Sequence, residues 1–246
     1  MYKLRIPRLY VEDILEVGNR ILLDEDNVNY IKNVLKLSLD SQVILFNGEV
    51  ESLCVIQELL KKKCFILVQE IIRVYEDSKL NIDLAQVISK GDRFEFVLQK
   101  STELGVSKII PLTSKRCNVI LNKERQGKKL IQWSKMLIQA SQQSGRIKPP
   151  AITSVVDLRD FIDSLSNNYD AMFILDFKDS VKLDKNSKFK NILLLIGPEG
   201  GLTQDEIEYV KSKGFSGLTL GPRVLRTETA SLTSLSILQY VYGDLS

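Results

Sequence analysis

Histidine is absent from this 246-residue chain. Without an imidazole there is no Ser-His-Asp or Cys-His arrangement, no histidine general base and no zinc site with imidazole ligands. Cysteine is scarce as well: Cys54, Cys64 and Cys117 are odd in number and form no C-x-x-C pair. This usage predicts reduced thiols in a cytoplasmic protein, with no disulfide framework and no metal. The chemistry must therefore use carboxylates, cations, hydroxyl groups or a cofactor.

Long apolar runs are also missing. No run approaches the ~20 residues of a membrane span, and residues 1–7 lack the apolar core of a signal peptide. Apolar residues make up 44% of the chain and charged residues 26%, which is ordinary for a globular protein. We expect a cytoplasmic protein with no membrane contact, long enough for one large domain or two small ones.

Positive charge is concentrated in the middle of the chain, although the net charge is only +3. Residues 77–150 carry 14 basic and 6 acidic groups, whereas acidic groups outnumber basic ones on both sides. Between residues 115 and 148, nine basic residues occur with Glu124 as the only acidic one. A solvated helix face is the usual explanation of a charge run, but so few compensating acids favour a polyanionic partner such as nucleic acid.

The first 75 residues have the pattern of short β-strands. Apolar runs at residues 42–46, 52–57 and 64–72 are separated by an Asn-Gly pair and by three consecutive lysines. This spacing predicts a small barrel or sandwich, with a short helix over residues 28–37. The polar stretch at residues 75–79 is a candidate linker.

From residue 80 onward, strands alternate with helices. Strand-length apolar runs occupy residues 81–88, 106–112, 171–175, 191–196 and 218–220. Capping patterns begin helices at Asp92 with Glu95 and at Thr203 with Glu206, a long helix is predicted over residues 128–144, and Thr227 or Thr229 is expected to cap a last helix. The alternation predicts an α/β fold with a mostly parallel sheet.

Two strand-to-helix loops carry most of the functional signal, because such loops hold ligands in α/β proteins. Residues 197–201 read GPEGG, which is neither a G-x-G-x-x-G nor a Walker motif. A tight turn alone explains the glycines, but the carboxylate of Glu199 disfavours phosphate and suits a cationic ligand group. The second loop, residues 220–230, adds Arg226 and Glu228. Glu228 also suits the first turn of a helix, where it complements the dipole. Together the loops suit a ligand with an amino-acid end, an adenosine end and a sulfonium between them.

Residues 196–202 and 220–230 resemble the C-terminal signature of SPOUT-class RNA methyltransferases, in particular the RsmE family of 16S ribosomal RNA uridine-N3 methyltransferases. Residues 90–93, 99–106 and 143–146 resemble the same family in the same order. The resemblance covers essentially residues 80–246 and is weaker before them.

The resemblance implies a PUA-like β-barrel RNA-binding domain over residues 1–75 and a SPOUT domain over residues 76–246, whose C-terminal segment forms a trefoil knot. It also implies a homodimer that acts on 16S rRNA or on the assembled small ribosomal subunit. The implied cofactor is S-adenosyl-L-methionine, bound largely by main-chain groups. The residues matched to its site are Leu175, Ile196, Gly197, Glu199, Gly200, Leu220, Gly221, Leu225, Thr229 and Ala230.

Methyl transfer to a uracil ring nitrogen requires loss of the imide proton, which spreads negative charge onto two carbonyl oxygens. Our hypothesis gives stabilisation of that charge to Arg226, with Glu199 or Glu228 as proton acceptor. The expected RNA-binding residues are Arg8, Lys100, Arg116, Lys128, Lys129, Gln143 and Arg146. For Trp133 we favour core packing over base stacking. Two other readings stay open, namely ribose 2′-O methylation and a non-catalytic RNA-binding factor of ribosome assembly.

Overall fold

The computed structural model describes residues 6–119, 121–175 and 180–245, which fall into two compact units. The first unit extends to Asp77 and also contains Ser141–Pro149. Its elements are β1 (Arg8–Tyr10), β2 (Arg20–Leu22), α1 (Glu25–Asn29), β3 (Gln42–Phe46), β4 (Val50–Leu59) and β5 (Cys64–Val74). Helix α1 is followed by a short π-helical turn, Tyr30–Val34.

The strands of the first unit form one sheet in the order β1-β3-β4-β5-β2. The β3-β4-β5 meander is antiparallel, as is β5 with β2, whereas β1 runs parallel to β3. Alternate apolar side chains of these strands, such as Val43, Leu45 and Ile66, are completely buried in one core. This confirms the predicted β-rich N-terminal region. The predicted helix over residues 28–37 is shorter and begins earlier.

The second unit contains Ser78–Ala140 and Pro150–Ser246. The long helix α3 begins in this unit and ends in the first. The elements are β6 (Asn81–Val87), α2 (Arg93–Glu103), β7 (Lys108–Thr113), α3 (Lys123–Ser144), β8 (Ala151–Ile152), β9 (Val156–Asp157), α4 (Leu158–Asp163), β10 (Ala171–Leu175), β11 (Ser180–Val181), β12 (Asn191–Ile196), α5 (Gln204–Ser212), β13 (Ser216–Leu218) and α6 (Thr227–Tyr242).

The sheet of this unit has the order β11-β13-β10-β12-β6-β7-β8, with β9 also beside β7. Every strand pairing among its described residues is parallel. Two apolar cores contain alternate residues of β12: Ile192 and Leu194 belong to one core, and Leu193 and Leu195 to the other. A strand buried on both faces explains its uninterrupted apolar sequence, and the predicted parallel α/β fold is confirmed.

Helix boundaries follow local chemistry closely at some ends and not at others. The Thr203–Glu206 capping box forms as predicted, and Gly145 follows α3 at a φ of +85°. By contrast, the Asp92 side chain makes no capping hydrogen bond, and its backbone is already helical, with φ −79° and ψ −1°. The side chain of Glu95 accepts hydrogen bonds from Lys129 and Gln132 on α3.

Two further boundary predictions were wrong. The last strand of the sheet ends at Leu218 rather than Leu220, and α6 begins at Thr227 without a side-chain cap. In the described part of the chain, no helix combines the length and apolar character that a membrane crossing requires.

Candidate active site

The predicted cofactor residues converge on one edge of the parallel sheet. Strands β13, β10 and β12 are neighbours, and their carboxyl ends lie side by side. Leu175 of β10 is paired with Leu218 of β13, and Ile196 of β12 with Gln86 of β6. Both strand-to-helix loops leave from this edge, since one follows Ile196 and the other follows Leu218. A ligand bound by one loop at this edge would therefore also contact the other loop.

The first loop turns sharply after β12. The amide of Gly201 donates to the carbonyl oxygen of Pro198 at 2.9 Å, and Gly201 has a φ of +66° that favours glycine. Gly197 has little room, because a Cβ there would lie 3.2 Å from Cγ of Leu202. These restrictions keep main-chain groups of the loop at the sheet edge.

Glu199 is tied to the loop that follows β6. Its Oε1 atom accepts from the backbone amide of Lys90 at 3.2 Å and from Nη1 of Arg93 at 3.0 Å. The motif at residues 90–93 and the first loop thus meet through one carboxylate. This gives Glu199 a structural task that competes with the proton-acceptor role of our hypothesis.

Arg116 also lies against the first loop. Its Nη1 donates to the carbonyl oxygen of Gly200 at 3.0 Å, and its side chain would be 3.7 Å from a Cβ at Gly200. Arg116 belongs to the exposed segment after β7. The structure therefore brings one predicted RNA-binding residue into direct contact with a predicted cofactor-binding residue.

The second loop returns to the first at the start of α6. Oγ1 of Thr227 donates to the carbonyl oxygen of Gly197 at 2.8 Å and accepts from Nε2 of Gln86 at 2.9 Å. Gly221, at a φ of +93°, begins the exposed part of the loop. Leu175, Leu220 and Leu225 are partly buried and pack against the same apolar core, which leaves each of them with surface for an apolar ligand group.

Arg226 and Glu228 flank Thr227 and differ in exposure. Arg226 is exposed, and its side chain has no hydrogen-bond or ion-pair partner among the described residues. Glu228 is half-buried, and its Oε2 atom is buried without a hydrogen-bond partner in the same part of the chain. Thr229 is exposed and Ala230 is 6% exposed. A free guanidinium and an unpaired carboxylate oxygen thus lie within three residues, at the helix end that reaches the first loop.

The other predicted RNA-binding residues of the second unit all have acidic partners. Lys100 pairs with Glu103 one helical turn away, Lys128 with Glu124, and Lys129 with Glu95. The Lys128 pair is about three-quarters exposed on both sides, and such pairs contribute little to stability. Lys128 is therefore available to phosphate at small cost, whereas the part-buried Lys129–Glu95 pair helps to hold α3 against α2.

Arg8, Gln143 and Arg146 belong to the first unit, where the structure corrects the role we expected for Arg8. The Arg8 side chain is 8% exposed and pairs with the buried carboxylate of Glu51. Its Nη1 donates to the carbonyl oxygens of Ser141 and Gln142, and its Nη2 donates to that of Arg146. With these donors engaged, Arg8 is a structural residue that holds the end of α3, not an RNA contact. Gln143 is exposed and Arg146 is half-buried.

The sequence analysis did not predict several residues that contact the two loops at this sheet edge. Gln86 is fully buried in the apolar strand β6, and Arg93 and Lys90 hold Glu199. The signal in the sequence that could have identified Gln86 is a polar side chain inside an apolar strand.

Trp133 is 2% exposed and packs on Phe94 at 4.8 Å between ring centroids, which confirms the core role we favoured. No cluster of three potential metal ligands occurs among the described residues.

Two family models match the chain. A model of an RNA methyltransferase domain matches residues 76–239, and a model of an RNA methyltransferase PUA domain matches residues 23–69. The first match covers more than half of the chain and coincides with the parallel sheet and both loops. The chain therefore has the fold of an RNA methyltransferase.

Comparison with similar proteins identifies the family within the class of RNA methyltransferases. A Buchnera aphidicola protein from Schizaphis graminum, named ribosomal RNA small subunit methyltransferase E, is 34% identical, covering 99% of this chain and 100% of the relative. The Neisseria gonorrhoeae protein of that name, solved bound to S-adenosyl methionine, is 34% identical with a TM-score of 0.90, covering 98% of this chain and all of that one. A Legionella pneumophila methyltransferase solved with bound SAM is 38% identical with a TM-score of 0.92 and the same coverage. This chain belongs to the ribosomal RNA small subunit methyltransferase E family.

Proposed function

We propose that this protein transfers a methyl group from S-adenosyl-L-methionine to N3 of a uridine in 16S rRNA. The observation that carries the proposal is the contact between Thr227 and Gly197, which joins the two loops at one sheet edge. Arg226 precedes Thr227 directly, so its backbone is held beside the loop pair, and its guanidinium has no partner among the described residues. Family membership supports the reaction class, and an rRNA substrate implies a cytoplasmic enzyme.

The residues at this edge fit the methyl donor. The half-buried leucines Leu175, Leu220 and Leu225 offer apolar surface to an adenine ring. Main-chain groups of residues 197–201 and 220–221 complete the site we propose. When bound, the cofactor supplies an electrophilic methyl group.

Arg226 would act on the uracil ring. The N3 atom of neutral uracil has no available lone pair, so its proton must leave before or during attack. The resulting negative charge spreads over two carbonyl oxygens, where a fixed guanidinium stabilises it. The free guanidinium of Arg226 meets this requirement, and positioning of the ring in line with the methyl group contributes further to the rate.

The proton acceptor we propose is Glu228 rather than Glu199. Oε1 of Glu199 already accepts two hydrogen bonds, one of them from the Arg93 cation, so this carboxylate is engaged in holding the loop after β6. Glu228 has an oxygen without such a partner. Its position two residues after Arg226 keeps the acceptor and the stabilising cation on the same short segment.

The RNA-binding and quaternary parts of the proposal rest on family likeness and charge. We propose an RNA-binding PUA-like β-barrel over residues 1–75 and a methyltransferase domain with a C-terminal knot over residues 76–246. We also propose that the protein acts as a homodimer on 16S rRNA or on the assembled small subunit. Basic side chains of residues 100–146, among them Arg116 and Lys128, are the expected phosphate contacts.

Nucleoside mass spectrometry tests the reaction. Free 16S rRNA and assembled small ribosomal subunits, both from cells that lack the gene, should each be incubated with purified protein and S-adenosylmethionine. We expect a gain of 3-methyluridine in digested rRNA. A ribose-methylated nucleoside in its place, or no product together with retained RNA binding, would contradict the proposal and favour one of the two alternatives.

Replacement of Arg226 tests the proposed transition-state role. Arg226→Ala should lower kcat by about 10²–10³-fold, the usual effect of removing one charge-stabilising donor, while the affinity for S-adenosylmethionine stays close to that of the wild type. Calorimetry and a single-turnover assay measure the two quantities. Arg223→Ala, an exposed cation of the same loop, is the matched control. Wild-type turnover by Arg226→Ala would rule the role out.

A further inference from the structure

Three polar side chains are buried where the two loops meet. Gln86 and Ser231 are completely buried and Thr227 is 4% exposed. Gln86 lies on β6, whereas Thr227 and Ser231 lie one turn apart on α6. Burial of polar side chains is costly unless each is hydrogen-bonded, and at this site every one of them is.

The directions of these hydrogen bonds are fixed by the acceptors at their ends. The carbonyl oxygen of Val87 can only accept, so it must face Nε2 of Gln86, at 3.0 Å. Oε1 of Gln86 then points to Ser231, whose single hydroxyl proton is shared between that oxygen and the carbonyl oxygen of Thr227. Nε2 of Gln86 also donates to Oγ1 of Thr227, which leaves the Thr227 proton for the carbonyl oxygen of Gly197.

The network ends on the main chain of the first loop. Gln86 is the register partner of Ile196, the residue before Gly197. The loop therefore receives a hydrogen bond from α6 at the residue where it leaves the sheet. Gly197 is also packed closely against Leu202, so a shift of its carbonyl group would move the turn that follows. A fully satisfied buried network of this kind restricts motion more than apolar packing does.

We propose that Gln86, Thr227 and Ser231 are positioning residues, which hold Gly197 and residues 197–201 in the conformation that binds the methyl donor. This inference rests on the proposed function, because it assigns the network a task in that site. The side chains touch neither the donor nor the RNA; they act through the carbonyl group of Gly197. Their loss should lower affinity for the donor and leave the chemistry of the bound complex largely intact.

Helix α6 provides a matched pair of variants. Ser231 and Ser234 are both completely buried, and each donates to the carbonyl oxygen four residues earlier, at 2.8 and 2.7 Å. Of these two serines, Ser231 alone has a hydrogen bond to Gln86 among the described residues. Ser231→Ala and Ser234→Ala therefore remove the same group from the same helix, and they differ in the connection to the first loop.

The experiment compares these two variants with the wild type by calorimetry with S-adenosylmethionine and by hydrogen exchange of the free protein. We expect Ser231→Ala to bind the donor about five- to tenfold more weakly, the fold-change of one lost hydrogen bond. Its KM for the donor should rise with little change in kcat, and amides of residues 197–201 should exchange faster. Ser234→Ala should match the wild type in all of these quantities.

A second pair repeats the comparison should Ser231→Ala fail to fold. Thr227→Val removes the hydroxyl group at nearly constant shape, whereas Thr227→Ser keeps it, so only the valine variant should lose affinity. Equal affinities and exchange rates within both pairs, with a wild type that binds the donor, would overturn this inference alone. A wild type that binds no donor would overturn the proposed function and this inference with it.

Discussion

Arg8 illustrates how a side chain acquires its role from its surroundings. The sequence analysis predicted that Arg8 contacts RNA. In the structure, Glu51 accepts hydrogen bonds from both Arg8 and Arg73, and Arg73 donates in turn to the carbonyl oxygen of Gly145. Two arginines thus hold the chain after α3 to the sheet of the first unit. Nothing in the local sequence pairs residue 8 with residue 51, because the contact exists only once the sheet has formed.

The buried Glu51 carboxylate predicts an acid-sensitive contribution to stability. Burial alone would raise the pKa of Glu51, but hydrogen bonds from Arg73 and Arg8 outweigh it and hold the pKa below its ordinary value of 4.5. A lowered folded pKa means that the contribution is complete above about pH 4.5 and is lost as the pH falls through the folded pKa. Glu51→Gln should therefore destabilise by about 2–3 kcal/mol at pH 7, and by less as the pH falls below 4.5.

Urea denaturation followed by circular dichroism at several pH values measures this difference. Glu58→Gln is the control, since Glu58 lies on the same strand and pairs with Arg20 while both remain well exposed. Exposed pairs contribute little, so that variant should lie within about 0.5 kcal/mol of the wild type at every pH. A Glu51→Gln effect that stays constant down to acidic pH would contradict the assignment.

The helices show which boundaries local chemistry determines. Helix α5 begins at its predicted capping box of Thr203 and Glu206. Glu206 also accepts a hydrogen bond from the loop after β7. Oε2 of Glu206 accepts from the amide of Thr203, and Oε1 accepts from the amide of Lys115. Glu206 is 2% exposed. The capping box could be predicted because its two residues are three positions apart. The bond between Glu206 and Lys115 joins residues 91 positions apart, and no local pattern indicates it.

Removal of this carboxylate should be costly. Glu206→Ala leaves two amides without their charged acceptor, so we expect a loss of about 3 kcal/mol in the free energy of unfolding. Glu208→Ala on the exposed side of α5 is the control and should cost less than about 0.5 kcal/mol. Thermal and urea unfolding of the three proteins measure the differences. Equal destabilisation by both variants would show that Glu206 acts only through helix propensity.

Helix α6 shows the opposite case. Its sequence offered Thr227 or Thr229 as a cap, yet neither caps it. Thr227 is used for contacts with Gln86 and Gly197, which lie 141 and 30 positions away in the sequence. A capping pattern describes what a hydroxyl group can do locally. A better-placed acceptor in a neighbouring loop, here the carbonyl oxygen of Gly197, can take the same group.

Across the whole molecule, charge is distributed so that the segment from residue 77 to 150 is strongly basic while the flanking parts are slightly acidic. If this segment binds RNA phosphates, the logarithm of the binding constant should fall linearly with the logarithm of salt concentration. Lys128→Gln should reduce that slope by about one, because it removes one phosphate contact. Filter binding of small-subunit rRNA over a series of salt concentrations measures the slope.

Lys185→Gln is the control for this measurement, as an exposed lysine outside the basic segment. It should leave the slope unchanged. A binding constant that does not vary with salt would remove the basic segment from the RNA interface altogether, while the methyl-donor site would be unaffected.

Local sequence patterns were sufficient for the α/β alternation, the buried parallel strands, the two loops and the family, because periodicity, turn residues and contiguous motifs are encoded within short stretches. They also excluded histidine chemistry outright. The partners of Arg8, Glu199, Arg116 and Thr227 depended on the folded chain. Each of these side chains can form several equally good hydrogen bonds, and only the packing of distant strands and helices brings one particular partner within hydrogen-bonding distance.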